Sequence, residues 1–170
     1  MAEQNGSRLV RGIVAGVAGG LFASWVMNVF MQRANGRGDE EPSQAADVQT
    51  PIEDATMKTA DAIVSKVTGG RHLSFEERKK GGPIVHYAFG AIMGGVYGVL
   101  AEYSPASTAG FGTSFAGALF AGADLVAVPA LRLSGSAAEV RASTLVTPFA
   151  AHLVYGVATE GVRRLVRAVL

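Results

Sequence analysis

The segment RGIVAGVAGGLFASWVMNVFMQR, residues 11–33, decides how the chain is read, because 21 uncharged residues lie between its two terminal arginines. An α-helix rises about 1.5 Å per residue, so roughly 20 residues cross the ~30 Å hydrocarbon core of a bilayer. The pattern recurs along the chain. Lys80 and Glu102 enclose 21 uncharged residues, Glu102 and Asp124 another 21, and Arg141 and Glu160 enclose 18. These gaps predict four membrane spans, near 12–31, 83–103, 111–131 and 145–165, in a single membrane domain covering residues 1–170. The expected fold is all-α, an integral membrane four-helix bundle with a polar loop over 32–82. A helical bundle in water is the competing arrangement, but four stretches this apolar leave too little polar face to solvate one. Arg8 and Arg11 ahead of an apolar run also suit a signal peptide. No convincing small-x-small cleavage site precedes a polar mature start, since Trp25, Met27 and Phe30 carry the run to its end, which favours a retained membrane helix.

Composition agrees. Charged residues make up 17% of the chain, against about a quarter in soluble domains, and there are 22 glycines. The formal charge of +1 supplies no field for nucleic acid, and with no cysteine there are no disulfides, thiolate metal sites or thiol nucleophiles. No nucleophile motif, phosphate-binding loop, dinucleotide fingerprint or paired-carboxylate arrangement is present, so the chain reads as non-enzymatic.

Within the polar loop, Gly36, Gly38, Pro42 and Ser43 mark a linker. Thr50-Pro51-Ile52-Glu53 then combines a cap, a first-turn proline and a glutamate placed to reach back, while Gly69-Gly70 supplies a stop. A short amphipathic helix over 51–68 is expected, with Ile52, Met57, Ala60, Ile63, Val64 and Val67 on one face, lying on the membrane or capping the bundle. Ser74-Phe75-Glu76-Glu77 repeats the cap signature before Gly81-Gly82-Pro83, where the second span is expected to begin, and Ser136 to Glu139 does so before the fourth. Spans two and four match each other, Pro83, His86, Gly90 and Glu102 against Pro148, His152, Gly156 and Glu160. That match suggests a duplicated helical hairpin, with the two spans running in the same direction and both histidines near one membrane face.

Gly12, Gly16 and Gly20 recur every fourth residue in span one, as do Gly90, Gly94 and Gly98 in span two. Small-xxx-small stripes let helix backbones approach closely, and they predict a tight bundle rather than a wide pore. Among the polar residues in or at the edge of apolar stretches are Asn28, Glu102, Asp124 and Glu160. Asp124 lies well inside span three, where a carboxylate must be neutral, paired or wet. Asn28, Ser24, Trp25 and the tyrosines are its expected partners, in either a structural hydrogen bond or a proton- or ion-handling role. Glu160 and Arg164 are spaced for an i,i+4 pair worth a few tenths of a kcal/mol. His86 and His152 suit interfacial hydrogen bonding, joint ligation of a metal or haem iron, or pH sensing. His72 and Glu139 belong to segments on the same face and would complete a metal site with them.

The ordered set His86, Tyr97-Gly98-Val99-Leu100-Ala101-Glu102-Tyr103-Ser104-Pro105, Ala116-Gly117-Ala118-Leu119, Pro129, Glu139, His152-Leu153-Val154 and Arg163-Arg164 resembles the YagU-like family of bacterial inner-membrane proteins of unknown function. The resemblance covers roughly residues 83–167 and, more loosely, the first span. The loop at 32–82 departs from the family pattern. The resemblance implies location in the bacterial inner membrane and no activity. The expected partners are the lipid bilayer and other membrane proteins, or a second copy, met through the glycine stripes. An accessory or scaffold subunit is the expected function, with a small transporter or proton-linked stress protein using Asp124 and the histidines as the alternative.

Overall fold

The computed structural model describes residues 2–36, 53–133 and 142–170, and among these there are helices and no strands. Five helices follow in order: α1 (Ala2–Asn35), α2 (Ala55–Thr68), α3 (Phe75–Tyr103), α4 (Thr113–Ala130) and α5 (Ala142–Val169). Three of them, α1, α3 and α4, are long and apolar enough to cross a membrane. The fourth expected span falls on α5, which is not among these three. The fourth long helix, α5, interrupts its apolar character with His152, Glu160, Arg163, Arg164 and Arg167.

α1 is the central helix, lying against α3 on one side and α5 on the other, while α4 packs on α5. The two glycine stripes face each other in antiparallel register, Gly12 opposite Gly98, Gly16 opposite Gly94 and Gly20 opposite Gly90. A Cβ added at Gly16 would overlap the Gly94 carbonyl, one at Gly20 the Gly90 carbonyl, and one at Gly98 the Gly12 carbonyl. Backbone thus meets backbone, an approach only glycine permits.

Large apolar side chains point the other way. Ala15, Ala23, Ala116 and Ala151 are fully buried, whereas Ile13, Val14, Leu21, Phe22, Trp25, Ile84, Ile92, Val96, Val157 and Leu165 are exposed. α3 and α5 run parallel, tied by the Tyr155 hydroxyl donating to the Gly90 carbonyl at 2.6 Å, the Tyr97 hydroxyl to Glu160 at 2.8 Å and Arg167 to Glu102 at 2.6 Å. The connection from α3 to α4 closes on Gly112, whose φ of 87° and contact with the Gly156 carbonyl both exclude a side chain.

The polar loop departs from expectation at both ends of its helix. α2 starts at Ala55, and the cap is Asp54, whose carboxylate accepts from the Met57 amide at 2.8 Å. Glu53 pairs instead with Arg78 at 2.8 Å, and Thr50, Pro51 and Ile52 lie outside the described residues. At the other end Gly69 adopts the left-handed C-cap expected of it, with φ 74°. Ser74 and Glu77 do form a capping box, but the helix they start is α3 itself, which runs through Gly81, Gly82 and Pro83 without a break. Those glycines are docking positions rather than a boundary. A Cβ at Gly81 would come within 2.8 Å of the Ala60 side chain, and one at Gly82 within 3.1 Å of Met57. Met57 and Ala60 are accordingly buried against α3, while Ile63 and Val67, on the face assigned with them, are exposed. The Ser136–Glu139 cap lies outside the described residues.

The α1–α3 contact predicts a sharp contrast between two glycine substitutions. Gly94→Val should lower stability by about 2 kcal/mol or more through overpacking against α1. Gly117→Ala, at a position where an added Cβ meets nothing within 4 Å, should leave it unchanged or slightly raised. Thermal unfolding in detergent followed by circular dichroism measures both, and equal midpoints would contradict the interface.

Candidate functional site

Midway along α4 the backbone widens into a π-helical segment, Ala121–Ala127, with the Val128 amide reaching back to the Ala123 carbonyl. Pro129 contributes to this. It has no N–H for the carbonyl of Leu125, so the regular ladder loses a rung and the register relaxes. Asp124 sits in the middle of the segment. Its Oδ2 lies 3.2 Å from His152 Nε2 on α5. This corrects the expected partners, since the carboxylate turns to His152 rather than to Asn28, Ser24, Trp25 or a tyrosine. The pairing crosses two helices whose spacing is not visible in local sequence.

The rest of the imidazole is held as well. His152 Nδ1 lies 2.9 Å from the Pro148 carbonyl, one turn back on the same helix, so this nitrogen carries the hydrogen. The ring of Phe120 packs edge-on against it with centroids 5.3 Å apart. Residue His152 is buried at 7% exposure, whereas the Asp124 side chain is 39% exposed. The acid is therefore the member of the pair presented outward.

It is presented to a cavity of about 530 Å³ whose wall takes residues from all five helices. α1 supplies Ser24 and Met27, α2 Thr56 and Thr59, α3 Val85, His86, Phe89 and Met93, α4 Leu119 and Asp124, and α5 His152 and Tyr155. The lining is mainly apolar, with few convergent polar groups, the usual make-up of a small-molecule site. Those polar groups are mostly committed. His86 Nε2 lies 3.3 Å from the Ser24 carbonyl, Thr59 donates to the Ala55 carbonyl at 2.7 Å and Thr56 to Asp54 at 2.6 Å. The Ser24 hydroxyl is buried without a hydrogen-bond partner among the described residues.

His86 and His152, expected near one membrane face, both line this cavity. The metal reading finds less. His152 has both nitrogens engaged, and among the described residues no three His, Asp or Glu side chains come together around a possible ion. His72 is absent from the wall, and Glu139 lies outside the described residues. His72 donates from Nδ1 to Asp61 at 2.9 Å, beside the Leu73 amide and Arg78, and these partners hold the Asp61 carboxyl below the usual carboxylate range, His72 most of all. Asn28 is half-buried on α1, one turn beyond Ser24.

Glu102 and Glu160 lie together at the opposite end of the bundle, where the N-terminal part of α1 also arrives. Glu102 receives Arg167 at 2.6 and 3.2 Å, and Arg8 lies 3.7 Å away. Glu160 is fully buried, and the i,i+4 pair with Arg164 at 2.6 Å is only part of its environment. Arg163 binds both of its oxygens, at 2.7 and 3.0 Å, and Tyr97 donates from α3. Sequence spacing pointed to the half-exposed member and missed the buried one, because an i,i+3 neighbour and a tyrosine 63 positions away leave no mark in a local pattern.

Glu160→Ala should cost about 3–5 kcal/mol, because it strands the buried Arg163 guanidinium. Arg164→Ala, at a side chain 55% exposed, should cost less than about 1 kcal/mol. Unfolding midpoints in detergent compare the two, and similar losses would move the main hold on Glu160 to Arg164. In comparisons with known proteins no family model matches this chain, and neither a curated protein nor a solved structure matches it.

Proposed function

We propose that this chain is a multi-pass, non-enzymatic protein of the bacterial inner membrane that binds a small amphiphilic molecule inside the bundle, as a small transporter or proton-linked membrane protein would. The observation that carries the reading is the Asp124–His152 pair set in an apolar helix and opening onto a 530 Å³ cavity. An ionisable pair at that depth is costly to keep in a purely structural role.

Three arguments support the membrane part. Three helices are long and apolar enough to cross, and α5 joins them as a fourth crossing because it packs along α1 while its charged residues gather at the end of the bundle. Small residues inside and large apolar residues outside suit a lipid surround, where packing rather than water exclusion holds helices together. The inner-membrane assignment rests on the YagU-like resemblance. The parallel course of α3 and α5 supports a duplicated hairpin.

The accessory-subunit reading drew on the glycine stripes, and those of α1 and α3 are occupied by each other. Gly117, with open space beside it, keeps a small outward position on α4 for a neighbouring subunit. The cavity is the stronger feature.

Two measurements test the proposal. Reporter fusions at residues 45, 108 and 170 should place 45 on one membrane face and the other two on the opposite face, whereas 170 on the same face as 45 would remove α5 from the crossings. For the cavity, an uncharged probe, triphenylphosphine oxide, should bind the detergent-purified full chain saturably in isothermal titration calorimetry. Leu119→Trp, which fills the cavity from α4, should weaken that binding at least about tenfold, and undiminished binding would reject the cavity as the ligand site.

A further inference from the structure

We infer that the cavity takes a monovalent organic cation with apolar substituents, and that each cation bound at Asp124 displaces the one proton Asp124 and His152 share. This rests on the reading of the cavity as a ligand site and adds the chemistry of the ligand.

The hydrogen count comes from geometry. The Pro148 carbonyl can only accept, so the hydrogen on His152 Nδ1 is fixed in place. That leaves two acceptors, Nε2 and Asp124 Oδ2, facing each other at 3.2 Å, and they need one proton between them. Whether the proton rests on nitrogen or oxygen, the pair is neutral as a whole. The mainly apolar lining favours this, since it offers an unpaired carboxylate no other partner.

The sign of the ligand follows from which partner is presented. His152 is packed away beneath Phe120, and the side chain open to the cavity is the acid. A cation can reach Asp124, and among the described residues no lysine or arginine lines the wall to draw an anion. The titratable groups that share the wall with the pair are His86 from α3 and Tyr155 from α5. His86 Nε2 is directed at the Ser24 carbonyl and the Tyr155 hydroxyl donates to the Gly90 carbonyl, so both are engaged with backbone. α1 and α2 bring Ser24, Met27, Thr56 and Thr59 and no charged side chain. Phe89 offers an aromatic face for the cation and Leu119 an apolar surface for its substituents.

The exchange balances in charge. Protonated pair plus cation gives deprotonated pair holding the cation, plus one proton delivered to solvent. The cavity therefore holds either the proton or the cation, and the affinity for the cation rises about tenfold per pH unit while the pair keeps its proton.

The test is isothermal titration calorimetry of the detergent-purified full chain with methyltriphenylphosphonium, in two buffers of different ionisation enthalpy at one pH. The expected result is release of about one proton per cation bound to wild-type protein. Asp124→Asn, nearly the same size, should weaken the cation at least about tenfold and release no proton. Cation binding without proton release by wild type, or undiminished cation binding by Asp124→Asn, would overturn the inference. The wild-type buffer comparison stands even if the variant fails to fold. Binding of the uncharged probe without the cation would overturn the exchange alone, while failure of both probes would overturn the ligand site and the exchange together.

Discussion

The meeting of α1 and α3 backbone to backbone along six glycines is the contact on which the rest of the molecule depends. Along these glycines backbone lies against backbone, so the two helices hold each other through close packing rather than through interleaved large apolar side chains. This frees the large apolar residues of both helices to face outward. It also fixes the register, because sliding one helix by a residue would drive a side chain into a carbonyl.

Two features of opposite character follow from that register. At one end, α1 brings Arg8 beside Glu102, while α3 brings Glu102 to Arg167 and Tyr97 to Glu160. The charges that enter the bundle are thus satisfied by one another across three helices, and the N-terminal end of α1 and the C-terminal end of α5 are held together. Towards the other end, small residues give way to Met27, His86 and Phe89, α4 loosens at Asp124, and α2 leans over the gap on Gly81 and Gly82. The space left there is the cavity. Tight packing in one part of the bundle and an opening in another are consequences of where glycine is placed.

The Asp124–His152 pair shows how such a fold keeps a carboxylate in apolar surroundings. Burying the imidazole and anchoring its Nδ1 on a carbonyl leaves a single proton to be divided between two acceptors. The π-helical turn carries the acid, which reaches His152 on α5 while its side chain stays 39% exposed.

Much was legible in the residues themselves. Charge gaps place the long helices because an uncharged stretch of membrane length is a local property. The every-fourth-residue glycines announce close packing because helical periodicity puts them on one stripe. Ser74 with Glu77, and Gly69, mark helix ends because caps are bonded within a few residues. What stayed hidden involves partners distant in sequence. Gly81 and Gly82 read as a boundary until α2 is seen resting on them, and Asp124 had plausible partners on α1 until α5 supplied His152. Glu160 looked like a surface pair because its i,i+4 neighbour is visible and the Tyr97 hydroxyl is not. Local sequence carries periodicity, caps and charge spacing, while the choice among distant partners is made only when helices of fixed register come within hydrogen-bond reach of each other.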